Sequence, residues 1–502
     1  MAKKPRKNVK GDGEDQISSL PDDVLIKILC LVPTEQALTT SFLSTRWKSL
    51  WTFLPELDLD YISFCKSFNI KYLDQIRKRF HGFLEFAGYV LTHHQLEHLH
   101  RLRIAFDITH ATRKKYGVKN NYAPEVCRLV RFAMGRNCST LDLQLSDPRK
   151  VCDPTYHGMY NMPPCKSFPH QSVTHLSLTN CKLTVSKYRN FLSVKIVKLT
   201  TVELRKDSVY DLVSKCPCLE ELHVIHCKFP SSSFELSCPE SSLRCLVLKS
   251  RHDEDFSHVS VNIPTLWRFK YKGASCCPSI NNAENLIEAE IKLDSYRRTE
   301  LKCLDNLLKD LRNVQVLILC FRCYKKVLPV TTGTNSGTSL LPQLCNLKNL
   351  SITVSLVGNE LLSLMCLLRN SPYLETLFVD LHEYDDSLRY QCTENIISSV
   401  CNEDEVTIPE PHFLPSDCIV HLTKIEINNF QGLKGEMEFV KVMLQSSLSL
   451  KEIVICISSR YEYLKESLGE DHDEVLQKKK YAAVESLLAC TCVSPDARIL
   501  IK

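Results

Sequence analysis

The sequence predicts an α/β chain: a small block of three N-terminal helices, then a solenoid of stacked repeats whose strands form a parallel sheet on one face. Three observations predict it. Apolar residues recur at helical spacing within residues 17 to about 57. A nine-residue pattern returns three times, each time behind an amphipathic helix, and shorter strand patterns fill the intervals between its copies.

In the block, Pro21 takes the first helical position, and Asp22 and Asp23 complement the helix dipole in the first turn. Val24, Leu25, Ile28 and Leu29 supply one apolar face. The break at Pro33-Thr34-Glu35 starts a second short helix through Ala37 and Leu38. A third helix presents Leu43, Trp47, Leu50 and Trp51, with Arg46 and Lys48 solvated between them. Three such short helices carry more apolar surface than they can hide from water among themselves. Part of it is expected to meet a partner; packing on the repeats as an N-terminal cap is the alternative.

The repeating pattern is clearest in Cys216-Pro217-Cys218-Leu219-Glu220-Glu221-Leu222-His223-Val224 and Ser371-Pro372-Tyr373-Leu374-Glu375-Thr376-Leu377-Phe378-Val379. Ser447-Leu448-Ser449-Leu450-Lys451-Glu452-Ile453-Val454-Ile455 keeps the same apolar frame. The unit is helix, tight turn, strand. Strand halves alone appear at Val173–Leu178, Leu243–Leu248, Val314–Leu319 and Leu347–Ile352. The centres of all successive strand candidates between about 177 and 290 lie roughly 21–25 residues apart, a leucine-rich-repeat period, and later spacings stretch to roughly 26–34 through loop insertions. A unit of this length buries its leucines only against its neighbours. Asn180-Cys181-Lys182-Leu183 and His226-Cys227-Lys228-Phe229 fit the turn that follows a strand, while residues 231–275 show too little helical periodicity for an ordinary open α/β sheet.

The chain has 502 residues, 44% of them apolar, enough for about three units of ordinary size. Its 14 glycines leave little from which to build phosphate-binding loops. The net charge of +5 equals the contribution of Lys3, Lys4, Arg6, Lys7 and Lys10, so the body is neutral and nucleic acid is not the expected partner. No apolar run reaches the ~18–20 residues of a membrane span, and the basic start lacks the apolar stretch of a signal peptide. The 25 cysteines, among them Cys245, Cys320 and Cys456 in alternating apolar segments, are read as reduced core residues of a nuclear or cytoplasmic protein. Lys3, Lys4, Arg6 and Lys7 form a nuclear-localisation candidate, with a merely solubilising tail as its alternative.

The run Ile17–Leu29, opening on Leu20-Pro21, and Thr40–Trp51, with Ser44-Thr45-Arg46-Trp47 and Leu50-Trp51, resemble the F-box of plant F-box/FBD/LRR-repeat proteins. Thr45 and Val32 depart from it mildly, standing where lysine and leucine are common. His421–Ile427, Gly435–Val440 and Leu450–Ile453 resemble the FBD module that follows the repeats in that family. The domains expected are a basic tail at 1–13, an F-box at 14–60, a helical linker and leucine-rich-repeat solenoid at 61–405, and an FBD-like module at 406–490. The resemblance implies a substrate receptor of a Skp-cullin-F-box ubiquitin ligase, its F-box on a Skp-type adaptor and its repeats on a protein substrate. By motif position, the adaptor-facing residues would be Leu20, Pro21, Val24, Leu25, Ile28, Leu29, Leu43 and Trp47.

No catalytic, cofactor or metal set is predicted. His93, His94, His98 and His100 are read as one helical face, and Gln95 stands where a zincin needs an acid. Cys320-x-x-Cys323, Cys276-Cys277 and Cys490-x-Cys492 lack second pairs, and Gly333–Thr338 lacks the phosphate-loop lysine. A bound protein is expected on the concave strand face, where His175, Ser177, His223 and Ile225 point outward. A scaffold without ligase activity and a ligand-gated receptor remain the other readings at this point.

Overall fold

The computed structural model describes residues 17, 19–67, 80–106, 123–145, 160–162, 171–184, 192–250, 256–273, 276–294, 304–322, 342–354, 356, 360–381, 419–457, 485–487, 489–490 and 492–502. The basic tail, Cys323 and the loop Gly333–Thr338 lie outside them. The chain divides into two compact units, Met1–Ile196 with Thr201–Glu203, and Val197–Thr200 with Leu204–Lys502.

The first unit opens with α1 (Asp22–Leu29), α2 (Thr34–Thr39) and α3 (Trp47–Leu50), with 3-10 turns at Thr40–Phe42 and Trp51–Phe53. Pro21 precedes α1 in an extended conformation rather than forming its first residue. The third helix is shorter than its apolar pattern suggested. Ser44 and Thr45, whose side chains compete for backbone groups, fall in the turn before Trp47 and leave Leu43 outside the helix.

β1 (Glu56–Asp60), inside the stretch assigned to the F-box, is already a sheet strand. It pairs in parallel with β2 (Leu99–Ala105), which pairs with β3 (Cys138–Gln144), then with His175–Thr179. Leu57, Leu59, Leu102, Ile104, Leu141 and Leu143 all turn to the interior, the period-two alternation of a sheet with one covered face. Helices Tyr61–Ser67 and Phe80–His93 lie between β1 and β2 and bring Tyr61, Phe64, Phe80 and Phe83 into one aromatic cluster. The expected histidine face does not form. His93 ends the helix, His94 follows it, His98 lies in the connection and His100 in β2.

Asn180 follows the strand His175–Thr179 with φ of 58° and donates from Nδ2 to the Leu145 carbonyl at 3.1 Å. Asparagine tolerates this left-handed geometry better than other side chains, and its amide pairs a buried carbonyl. Asn180→Ala is therefore expected to lower the stability of the first unit by about 1–3 kcal/mol, read as a fall in its denaturant midpoint. His226 performs the same turn after Glu221–Ile225, with φ of 53° and its ring Nδ1 donating to the Ser250 carbonyl at 3.1 Å.

In the second unit, ten strands among the described residues, from Glu221–Ile225 to Arg498–Ile501, pair in parallel in chain order. Helices Ser208–Lys215, Glu360–Arg369 and Lys434–Ser446 precede the three matched turns. The FBD-like segment continues this sheet through Lys424–Phe430 and Glu452–Ile457, and a last strand at Arg498–Ile501 lies beyond the expected limit of 490. Where helical periodicity is missing, strands take its place. Ser233–Ser237, His258–Asn262 and Ser279–Asn281 form a second parallel sheet with Phe234, Leu236, Val259, Val261 and Ile280 buried.

Candidate protein-docking surface

The three N-terminal helices separate their apolar residues into two sets. Leu25, Leu29 and Trp47 are 0%, 2% and 6% exposed, and with Ala37, Leu50 and Trp51 they form the interior. Of the residues placed on the adaptor side by motif position, these three lie in the interior of the free chain, where they hold α1 against α3. Neighbours one helical step away do the reverse. Val24 and Ile28 on α1 and Leu43 before α3 are exposed, as is Pro21, while Leu20 is half-buried.

Three residues outside the motif-position set share this outer character. Leu31 is 84% exposed, Phe42 is 87% exposed, and Val32 also reaches solvent. Isolated exposed apolar side chains are ordinary; this many on about thirty residues mark an interaction site. Their signal was in the sequence only as apolar residues lying off the helical stripe.

Polar contacts keep the block in this arrangement. Arg46, expected to be solvated, reaches back to α1: its Nη2 is 2.6 Å from Asp22 Oδ1 and also donates to the Leu20 carbonyl. Thr34 Oγ1 accepts from the Asp58 backbone N–H at 3.0 Å, tying α2 to β1. His94 donates from Nε2 to the Leu54 carbonyl at 2.8 Å, while its Nδ1 faces the Arg136 guanidinium at 3.2 Å. Burial holds this imidazole below its usual pKa, so it is a neutral structural bridge. Trp51 stacks on Tyr89 of the helix Phe80–His93 at 6.0 Å.

Glu35 is the electrostatic exception. It is 2% exposed on α2, and burial pushes its carboxyl up to about 7, with its own backbone and Ser63 pulling the other way. Asp58 and Asp60 on β1 push its pKa up as burial does; Arg103, 2.6 Å from Asp58 and 3.1 Å from Asp60, is engaged by them and by Gln144 at 2.7 Å. A carboxyl with a raised folded-state pKa contributes full stability below its unfolded value and loses it as pH rises towards about 7. The melting temperature is thus expected to fall between about pH 4.5 and 7, and Glu35→Gln to flatten that part of the profile.

The second unit offers a different surface. On the outer side of its sheet, Val247, Lys270, Glu290, Ile318, Ser351, Phe378, Glu426 and Val454 stand in one register row, with Val247 and Val454 buried within it. Lys249, Lys272 and Lys292 stand in the next. Ion pairs cross between strands, with Arg268 2.7 Å from Glu288 and Lys270 2.8 Å from Glu290. Cys245 and Cys320, read as core residues, are buried on this same side, in register with Glu221 and Lys292 respectively.

An N-terminal helical block with an apolar outer skin, joined to a parallel leucine-rich array, defines an F-box/LRR-repeat protein. The F-box domain profile matches residues 17–58, and the profile described as "At1g61320/AtMIF1, LRR domain" matches residues 94–494. The chain belongs to the F-box/FBD/LRR-repeat family. It is 29% identical to F-box/LRR-repeat protein At3g60040 of Arabidopsis thaliana, over 93% of each chain. FBD-associated F-box protein At5g56370 of the same plant is 26% identical over 87% of this chain and 89% of its own. F-box/LRR-repeat protein 13, also from Arabidopsis thaliana, is 24% identical over 99% and 98%. These domains support a substrate-adaptor role in ubiquitin ligation in general.

Proposed function

We propose that this chain is the substrate-recognition subunit of a Skp-cullin-F-box ubiquitin ligase, with no catalytic residue of its own. The observation that carries the reading is the outward apolar set of Val24, Ile28, Leu31, Phe42 and Leu43 on a segment that matches the F-box. An apolar surface of this kind docks a Skp-type adaptor, and the adaptor brings the cullin. The strand face of the second unit then holds a protein substrate, so transfer is accelerated by raised effective concentration. Activity is proposed for the nucleus or cytoplasm, where thiols remain reduced.

The test is co-purification of the full chain with a Skp-type adaptor and a cullin, beside a variant carrying Val24→Lys and Ile28→Lys. The intact chain is expected to retain both partners and the variant to lose both while keeping its melting temperature. Equal retention by the two proteins would overturn the reading and leave an F-box-like cap on a scaffold.

A further inference from the structure

We propose that Glu221, His223 and Cys245 form a binding site for a zinc-class divalent cation on the solvent side of the second unit's sheet. Glu221 and His223 are alternate residues of the strand Glu221–Ile225, so both point to one face. Cys245 opens the neighbouring strand Cys245–Lys249 and lies directly opposite Glu221 in the parallel register. Sequence spacing hides this set, because only strand pairing brings Cys245 across to residues more than twenty positions away.

The donor atoms of the three side chains all lie within 4.8 Å of one another, and His223 Nε2 is 3.5 Å from Glu221 Oε2. Tetrahedral zinc with ligand bonds of about 2.0–2.3 Å needs donors about 3.3–3.8 Å apart, so closing the site takes about an ångström of side-chain movement. One thiolate sulfur, one imidazole nitrogen and one carboxylate oxygen are donors that zinc accepts and that calcium and magnesium do not select. The neutral imidazole of His223 is the form that coordinates.

The surroundings permit a cation. Arg268 and Lys270, the nearest basic side chains on the next strand, are paired with Glu288 and Glu290. Lys198 and Lys249 flank His223, and the Glu221 carboxylate opposes their charge. Forming the metal–sulfur bond releases the Cys245 thiol proton to solvent. Three protein donors leave one coordination position for water or for a side chain of a bound protein.

The test uses the full chain, stripped with a chelator and titrated with cobalt(II), then with zinc(II). One equivalent of cobalt is expected to produce a sulfur-to-metal charge-transfer band that zinc abolishes. Cys245→Ser is expected to lose the band, and His223→Gln to weaken binding by at least about tenfold. Both metal-free variants should keep the melting temperature of the metal-free parent, which alone should gain stability on adding zinc. If Cys245→Ser fails to fold, the half-buried His223→Gln decides. No band in the parent, or a band undiminished in the folded variants, would overturn the site; the second result would assign the metal to other cysteines.

Discussion

Replacing Phe42 and Leu43 together by serine is expected to abolish co-purification with a Skp-type adaptor and to leave the melting temperature within a degree or two of the parent. Both side chains are mainly in solvent in the free chain, 87% and 68% exposed, so their removal takes nothing from the interior. Exposed substitutions of this kind usually change stability by less than about 0.5 kcal/mol. If a partner covers both residues, the same change forfeits about 1.5–3 kcal/mol for each apolar side chain, or roughly two to four decades of affinity. Leu25→Ala provides the contrast. That residue is fully buried, so its loss is expected to cost about 2–5 kcal/mol of stability and to reduce binding only through unfolding. Isothermal titration with the adaptor, beside thermal melts, separates the two behaviours; undiminished binding by the Phe42/Leu43 variant would remove this surface from the contact.

Gly435→Ala is expected to destabilise the C-terminal repeats by about 1–3 kcal/mol, although alanine is the better helix former by nearly 1 kcal/mol. Gly435 lies in the first turn of the helix Lys434–Ser446, and a Cβ there would stand 2.3 Å from the Leu356 carbonyl oxygen. The obstacle is backbone, and Leu356 already holds a left-handed φ of 54°, so the neighbour has little room to give way. The sign of the change is diagnostic. Loss of hydrogen-exchange protection in Lys434–Ser446 and on the strand Glu452–Ile457 confirms the close approach, whereas gained protection would mean that helix propensity dominates.

The repeat pattern was legible because each unit carries its own signal. Leu219, Leu222 and Val224 recur as Leu374, Leu377 and Val379, and both sets are buried. Asn180 was legible as a turn residue because its side-chain chemistry acts locally. Other features were misread where local pattern is degenerate. Cys245-Leu246-Val247-Leu248 is apolar at every position, so alternation could not say that Cys245 faces away from the covered side. The four histidines from His93 to His100 looked like one helical face because the helix end after His93 carries no strong stop signal. Arg46 looked solvated because its partners, Asp22 and the Leu20 carbonyl, belong to a different helix and the turn before it.

By itself, the sequence determined the class of structure: short apolar frames at repeat spacing that have no stable fold until stacked, preceded by helices too apolar to be self-sufficient. Only the tertiary structure decided which residues those helices hide. It buries Leu25, Leu29 and Trp47 and leaves Phe42 and Leu43 outside, and it sets Cys245 beside Glu221 and His223. The physical reason is common to both cases. Periodicity records that a side chain is apolar or polar, but its environment depends on which distant segment packs against it, and in a parallel array that segment lies a whole repeat away.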